Sequence, residues 1–145
     1  MDIILIPGLW LNGSSWDEVV PALEQAGHRT HPLTLPGMES KDADRSEITL
    51  RDHVNAVVEV VDSFDPSDPQ QLSDERRYDV PVTVIACEFS SAMIRDWMKQ
   101  EHPAVRELAK IRDVDYIDLP TGHWPQFTRP GELGRAILAS VGSAP

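Results

Sequence analysis

Four short apolar runs divide the chain, and each is bounded by proline, glycine or charged residues. Runs of about four to eight residues with such boundaries are typical of β-strands. They cover residues 2–6, 29–35, 80–87 and 114–119. The third run is rich in valine on both faces, which is typical of a strand buried inside a parallel sheet.

Amphipathic segments follow these runs, with apolar residues at helical spacing. The first predicted helix covers residues 16–26; it begins at a capping box formed by Ser15 and Glu18 and ends at Gly27. The other predicted helices begin, in chain order, after Thr49, at Ser90 or Ser91, and at Pro130.

Four strands that alternate with helices predict an α/β fold with a parallel sheet, because right-handed crossovers place helices on both faces. We expect a single domain built as a three-layer sandwich, since 145 residues suit one hydrophobic core. Residues 65–79 are acidic and almost free of apolar side chains, which predicts a linker between the N- and C-terminal halves. In such folds, ligands bind beyond the carboxyl ends of the strands.

The composition limits which partners and which cellular compartment we expect. A formal net charge of -11 argues against nucleic acid, which is bound by clustered lysine and arginine. No basic amphipathic stretch suggests a membrane surface, and the first apolar run is too short for a signal peptide. The single cysteine, Cys87, excludes an internal disulfide and favours the cytoplasm. The histidines lack the spacing of metal ligands, so we expect neither a metal nor a cofactor.

Two stretches together resemble the α/β-hydrolase family. The opening Leu5-Ile6-Pro7-Gly8, with Leu35-Pro36-Gly37 further on, is similar to the start of such an enzyme. The segment Leu119-Pro120-Thr121-Gly122-His123-Trp124-Pro125 is similar to the end of one. The resemblance implies hydrolysis of a small ester-type substrate.

The same resemblance implies roles for individual residues. His123 matches the general base. The place of Glu88 at the carboxyl end of the third strand, and not the resemblance, suggests that it orients His123 as the acid; the alternative is a solvated loop carboxylate. The loop with Leu9, Trp10 and Ser14 would form the oxyanion hole and ligand-binding loop.

The chain departs from the family at the nucleophile. No G-x-S-x-G motif is present, so the sequence resembles an α/β-hydrolase without its central elbow and lid. Ser90, in the turn after the third strand, is the nearest substitute. Its alternative role is the N-cap of a helix. Since a base without a nucleophile performs no acyl transfer, an inactive protein is the competing interpretation.

Two alternatives do not require catalysis. Gly8 and Gly13-Ser14-Ser15 have the spacing of a P-loop, but Ser14 stands where its lysine would be, which favours a small anion over a triphosphate. The loss of two central strands would also bring the third strand beside the first, in a flavodoxin-like order 2-1-3-4. Alternatively, the gap left by the two strands stays open and a second copy of the chain fills it, so that the protein is an oligomerising structural remnant of the hydrolase fold. We therefore expect a homodimer.

Overall fold

A computed structural model describes residues 1–64 and 75–141. The chain divides into two compact units, residues 1–71 and 72–145, and each is described by itself. Most of the predicted linker, residues 65–74, lies outside the described residues. Its last part is a 3-10 helix, Glu75–Asp79.

The first unit contains one pair of parallel strands. Strand β1, Asp2–Leu5, pairs with β2, Arg29–Pro32, in a register that joins Asp2 to Arg29 and Leu5 to Pro32. The main chain continues this ladder by one bond, from the N–H of Leu33 to the carbonyl of Leu5 at 2.9 Å. Both strands lie inside the predicted runs.

The first helix begins later than predicted, and the capping box is wrong. Residues Gly13–Trp16 form a 3-10 helix that Asn12 caps, and helix α1 covers Val20–Gln25. Pro21 explains the shift, because proline lacks an N–H and fits only the first turn of a helix. Gly27 ends the helix as predicted, with a φ of +88° that suits glycine.

The valine-rich segment forms helix α2, Leu50–Phe64. Asp52 accepts hydrogen bonds from the N–H and hydroxyl of Thr49 at 2.8 and 2.6 Å, which confirms the predicted start. None of its residues is fully buried. The core of this unit instead consists of Leu5, Val19 and Leu23.

The second unit repeats the strand–helix order. Strand β3, Val82–Ala86, pairs in parallel with β4, Val114–Asp118. Helix α3, Ser91–Lys99, follows β3, while α4, Pro125–Thr128, and α5, Pro130–Val141, follow β4. The buried apolar side chains are Ala86, Val105, Leu119, Leu133 and Ala136.

The strand pairs match the prediction in part. Among the described residues, β1 pairs with β2 and β3 with β4, in two parallel sheets, and both pairs belong to the predicted order 2-1-3-4. Pairing successive strands closes the shortest loops and therefore costs the least chain entropy.

No helix in residues 1–64 or 75–141 has both the length and the apolar character needed to cross a membrane.

Candidate functional site

The second unit brings together two of the predicted site residues. Glu88 lies in the turn between β3 and α3, and His123 lies in the loop after β4. The His123 Nδ1 and Glu88 Oε2 atoms are 3.1 Å apart, which is hydrogen-bond distance. The pair forms because β3 and β4 are parallel neighbours, so their carboxyl ends release both loops at one edge.

This contact gives the two imidazole nitrogens different roles. An ionised carboxylate only accepts hydrogen bonds, so in the neutral tautomer that makes this contact Nδ1 of His123 donates to Glu88 and Nε2 is the acceptor. A general base needs this arrangement. The Trp124 ring meets His123 edge-on, with centroids 4.7 Å apart.

Both members of the pair face solvent. The side chains of His123 and Glu88 are 68% and 50% exposed. The interaction is therefore screened by water, unlike the buried carboxylate–histidine pair of a serine hydrolase.

Ser90 lies beside this pair in sequence but caps helix α3. Its hydroxyl accepts a hydrogen bond from the N–H of Met93 at 3.3 Å, which confirms the N-cap interpretation. Its φ of -69° is ordinary for extended backbone, so Ser90 does not occupy a strained nucleophile elbow. Within residues 75–141, no hydroxyl or thiol is hydrogen-bonded to His123.

The other nucleophilic side chains near this turn are Cys87 and Ser91. Partial burial raises the pKa of the Cys87 thiol, and its Sγ lies 3.5 Å from the carbonyl oxygen of Ile85. The thiol form is a poor nucleophile. Ser91 is buried, and its hydroxyl donates to a carboxylate oxygen of Asp118 at 2.6 Å. Neither side chain is therefore arranged as a nucleophile.

Asp118 was not predicted as a site residue. It is the last residue of β4, and its carboxylate binds both the N–H and the hydroxyl of Ser91. These hydrogen bonds lower the pKa of Asp118. A carboxylate at the carboxyl end of a predicted strand, at the edge where ligands bind, was the available signal.

The candidate oxyanion loop belongs to the first unit. The N–H groups of Leu9 and Trp10 have no acceptor among residues 1–64, and both side chains are exposed. Trp10 has a φ of +69°, which is uncommon for a residue with a side chain. A cavity of about 130 Å³ adjoins this loop and is lined by Pro7, Gly8, Leu9, Trp10, Leu35, Met38 and His53.

The amides further along the same loop donate inside the unit. The N–H of Gly13 binds the Thr34 hydroxyl at 3.0 Å, and that of Ser14 binds the Asn12 side chain at 3.1 Å. The N–H of Ser15 binds the Asn12 carbonyl at 3.1 Å. A P-loop instead directs such amides at phosphate. The anion-binding alternative stays a prediction.

Metal ligation has no support in the part of the chain that the structure describes. No group of three or more His, Cys, Asp or Glu side chains there could hold an ion.

Comparison with known proteins finds similar structures but no similar sequence. No family model matches, and no curated protein matches. A crystal structure of a pyrethroid hydrolase from Sphingobium faniae JZ-2 has a TM-score of 0.65 and 17% identity, over 100% of this chain and 98% of that chain. A crystal structure of a PytH variant has a TM-score of 0.61 and 16% identity, over 94% and 95%. The chain thus has a hydrolase-like α/β fold.

Proposed function

We propose that this protein hydrolyses small esters with His123 as general base and Glu88 as its orienting acid. The observation that carries the proposal is the contact of 3.1 Å between His123 Nδ1 and Glu88 Oε2. The similar pyrethroid hydrolase supports an ester as the substrate class. Such a protein would be an α/β-hydrolase without a recognisable nucleophile motif.

In this proposal, water replaces the serine nucleophile. Nε2 of His123 takes a proton from water while the water oxygen bonds to the acyl carbon, which gives a tetrahedral intermediate. Its collapse breaks the bond to the alcohol oxygen, and the leaving alkoxide takes the proton from the imidazolium. The products are one carboxylic acid and one alcohol.

Glu88 contributes to both stages. Its carboxylate keeps the neutral ring in the tautomer that accepts at Nε2, and its negative charge then stabilises the imidazolium. General-base assistance of this kind contributes about 10²–10⁴-fold in rate. Full serine-hydrolase rates need further groups, so we expect slow turnover of activated esters.

The test is release of p-nitrophenol from p-nitrophenyl acetate by the whole chain. Free imidazole also cleaves such esters, so an exposed histidine elsewhere must be controlled. His102 serves this purpose, because it is exposed and its Nδ1 accepts from Ala104. We expect turnover to be lost in His123→Ala and kept in His102→Ala. Equal rates in wild type and His123→Ala would contradict the proposal and favour a catalytically silent protein.

Ser90 provides the second comparison. If water is the nucleophile, Ser90→Ala keeps its turnover, and the wild type shows no burst of p-nitrophenol and no acetylated serine by mass spectrometry. Loss of turnover in Ser90→Ala, together with acetyl-Ser90 in the wild type, would instead identify a covalent mechanism.

A further inference from the structure

The turn that carries Glu88 is attached to the end of β4 by a charged contact. Asp118 accepts one hydrogen bond from the N–H of Ser91 at 2.7 Å and a second from its hydroxyl at 2.6 Å. The two bonds use different carboxylate oxygens. A two-point contact of this kind fixes orientation as well as distance.

Backbone bonds extend this attachment towards the site. The N–H of Leu119 donates to the Ala86 carbonyl at 2.8 Å, and that of Thr121 donates to the Cys87 carbonyl at 3.4 Å. The segment before His123 therefore runs beside the segment before Glu88.

The contact between His123 and Glu88 is too exposed to hold its own geometry. An exposed ion pair gains little and must restrain two flexible side chains. Ser91, by contrast, is buried, although Asp118 is exposed, and the carboxylate of Asp118 binds the first N–H of helix α3, where the helix dipole favours negative charge. The stronger contact lies at Asp118, away from the reacting nitrogen.

We propose that Asp118 and Ser91 are a positioning pair that sets the distance between Glu88 and His123. Neither residue touches the substrate in this proposal; both act through the turn between β3 and α3. The importance of the pair for catalysis rests on the proposed function, but its effect on His123 does not.

The experiment measures the tautomer of His123, without any turnover. Ring ¹⁵N shifts of histidine-labelled protein, at a pH where His123 is neutral, report which nitrogen carries the proton. A free imidazole favours the proton on Nε2, whereas a carboxylate at Nδ1 reverses the preference. We expect mainly Nδ1–H in the wild type and a shift towards Nε2–H in Glu88→Ala.

The tautomer shifts in the Ser91 and Asp118 variants are compared with the shift in Glu88→Ala. We expect Ser91→Ala and Asp118→Asn to produce most of the shift seen in Glu88→Ala, because Glu88 then leaves hydrogen-bond distance of Nδ1. Asp115→Asn is the matched control, since Asp115 is an exposed residue of the same strand, and it should leave the His123 signals unchanged. Ser91→Ala keeps the backbone bond to Asp118, so it remains informative if Asp118→Asn does not fold.

Wild-type ring signals in both Ser91→Ala and Asp118→Asn would overturn the proposal. A shift in the Asp115→Asn control as large as theirs would also overturn it, because any disturbance of β4 would then be sufficient. Absence of ester turnover together with the expected tautomer shifts would overturn the proposed function and leave the positioning pair intact.

Discussion

Replacing Glu88 by glutamine should reduce ester turnover only slightly. The side chains of Glu88 and His123 are 50% and 68% exposed, so water screens the negative charge that Glu88 offers the imidazolium. Exposed ion pairs are worth about 0.2–1 kcal/mol. Since about 1.4 kcal/mol corresponds to tenfold, kcat/KM should fall by about 1.4- to 5-fold. Loss of the acid from a buried catalytic triad, by contrast, costs about 10⁴-fold.

The assay is kcat/KM for p-nitrophenyl acetate in wild type, Glu88→Gln and Glu101→Gln. Glu101 is an exposed glutamate of the same unit and controls for the change of net charge. The small effect of Glu88→Gln should shrink further in about 1 M salt, where the Debye length is about 3 Å. A loss above about 100-fold would refute the reasoning, because a screened pair cannot supply that much stabilisation. An effect equal to that of Glu101→Gln would refute a role for the contact.

Four other predictions follow from the fold, the charges and the sequence. Leu23 is fully buried whereas Leu50 is 78% exposed. In urea unfolding, Leu23→Ala should lower the free energy of unfolding by about 3 kcal/mol and Leu50→Ala by less than about 0.5 kcal/mol. Equal losses would contradict the described core. The hydrogen bond from Lys110 is the main cause that lowers the pKa of Glu107 to about 2. Ionised Glu107 therefore stabilises the folded state above the unfolded pKa of about 4.5, and this stabilisation is lost as the pH falls towards 2. The urea midpoints of wild type and Glu107→Gln should therefore converge in acid, and a constant difference would contradict this sign. Phosphate or acetate should perturb tryptophan fluorescence if the opening loop binds anions, with Trp10→Phe as the control, and an unchanged spectrum would reject that alternative. Sedimentation at several concentrations should detect the expected homodimer, and a constant monomer mass would exclude it.

The sequence predicted local elements well where periodicity and caps agreed. Ser90 caps helix α3, helix α2 begins directly after Thr49 as predicted, and the described strands all lie inside predicted runs. The predicted start of the first helix was wrong because the apolar spacing was counted across Pro21, which restricts α1 to a later start. The two described strand pairs, β1 with β2 and β3 with β4, belong to the predicted order, although apolar runs by themselves identify strands and not their partners.

The candidate site was predictable only in part. The order of strands and loops placed Glu88 and His123 at one edge, and the structure gives them a hydrogen bond. The contact of Asp118 with Ser91 was not foreseen, because it depends on the register of β3 against β4, where Ala86 lies opposite Asp118. The hydrophobic pattern of a single strand does not show how that strand is aligned with its neighbour.

The register of the second unit also makes the contact between Glu88 and His123 depend on a short stretch of chain. The strand pairing of β3 with β4, the Asp118–Ser91 hydrogen bonds and the contact between Glu88 and His123 all arise between residues 82 and 123. A chain that loses or exchanges a segment before residue 82 loses none of these contacts. In evolutionary terms, the stretch from β3 to His123 can be inherited as one unit, whatever segment precedes it.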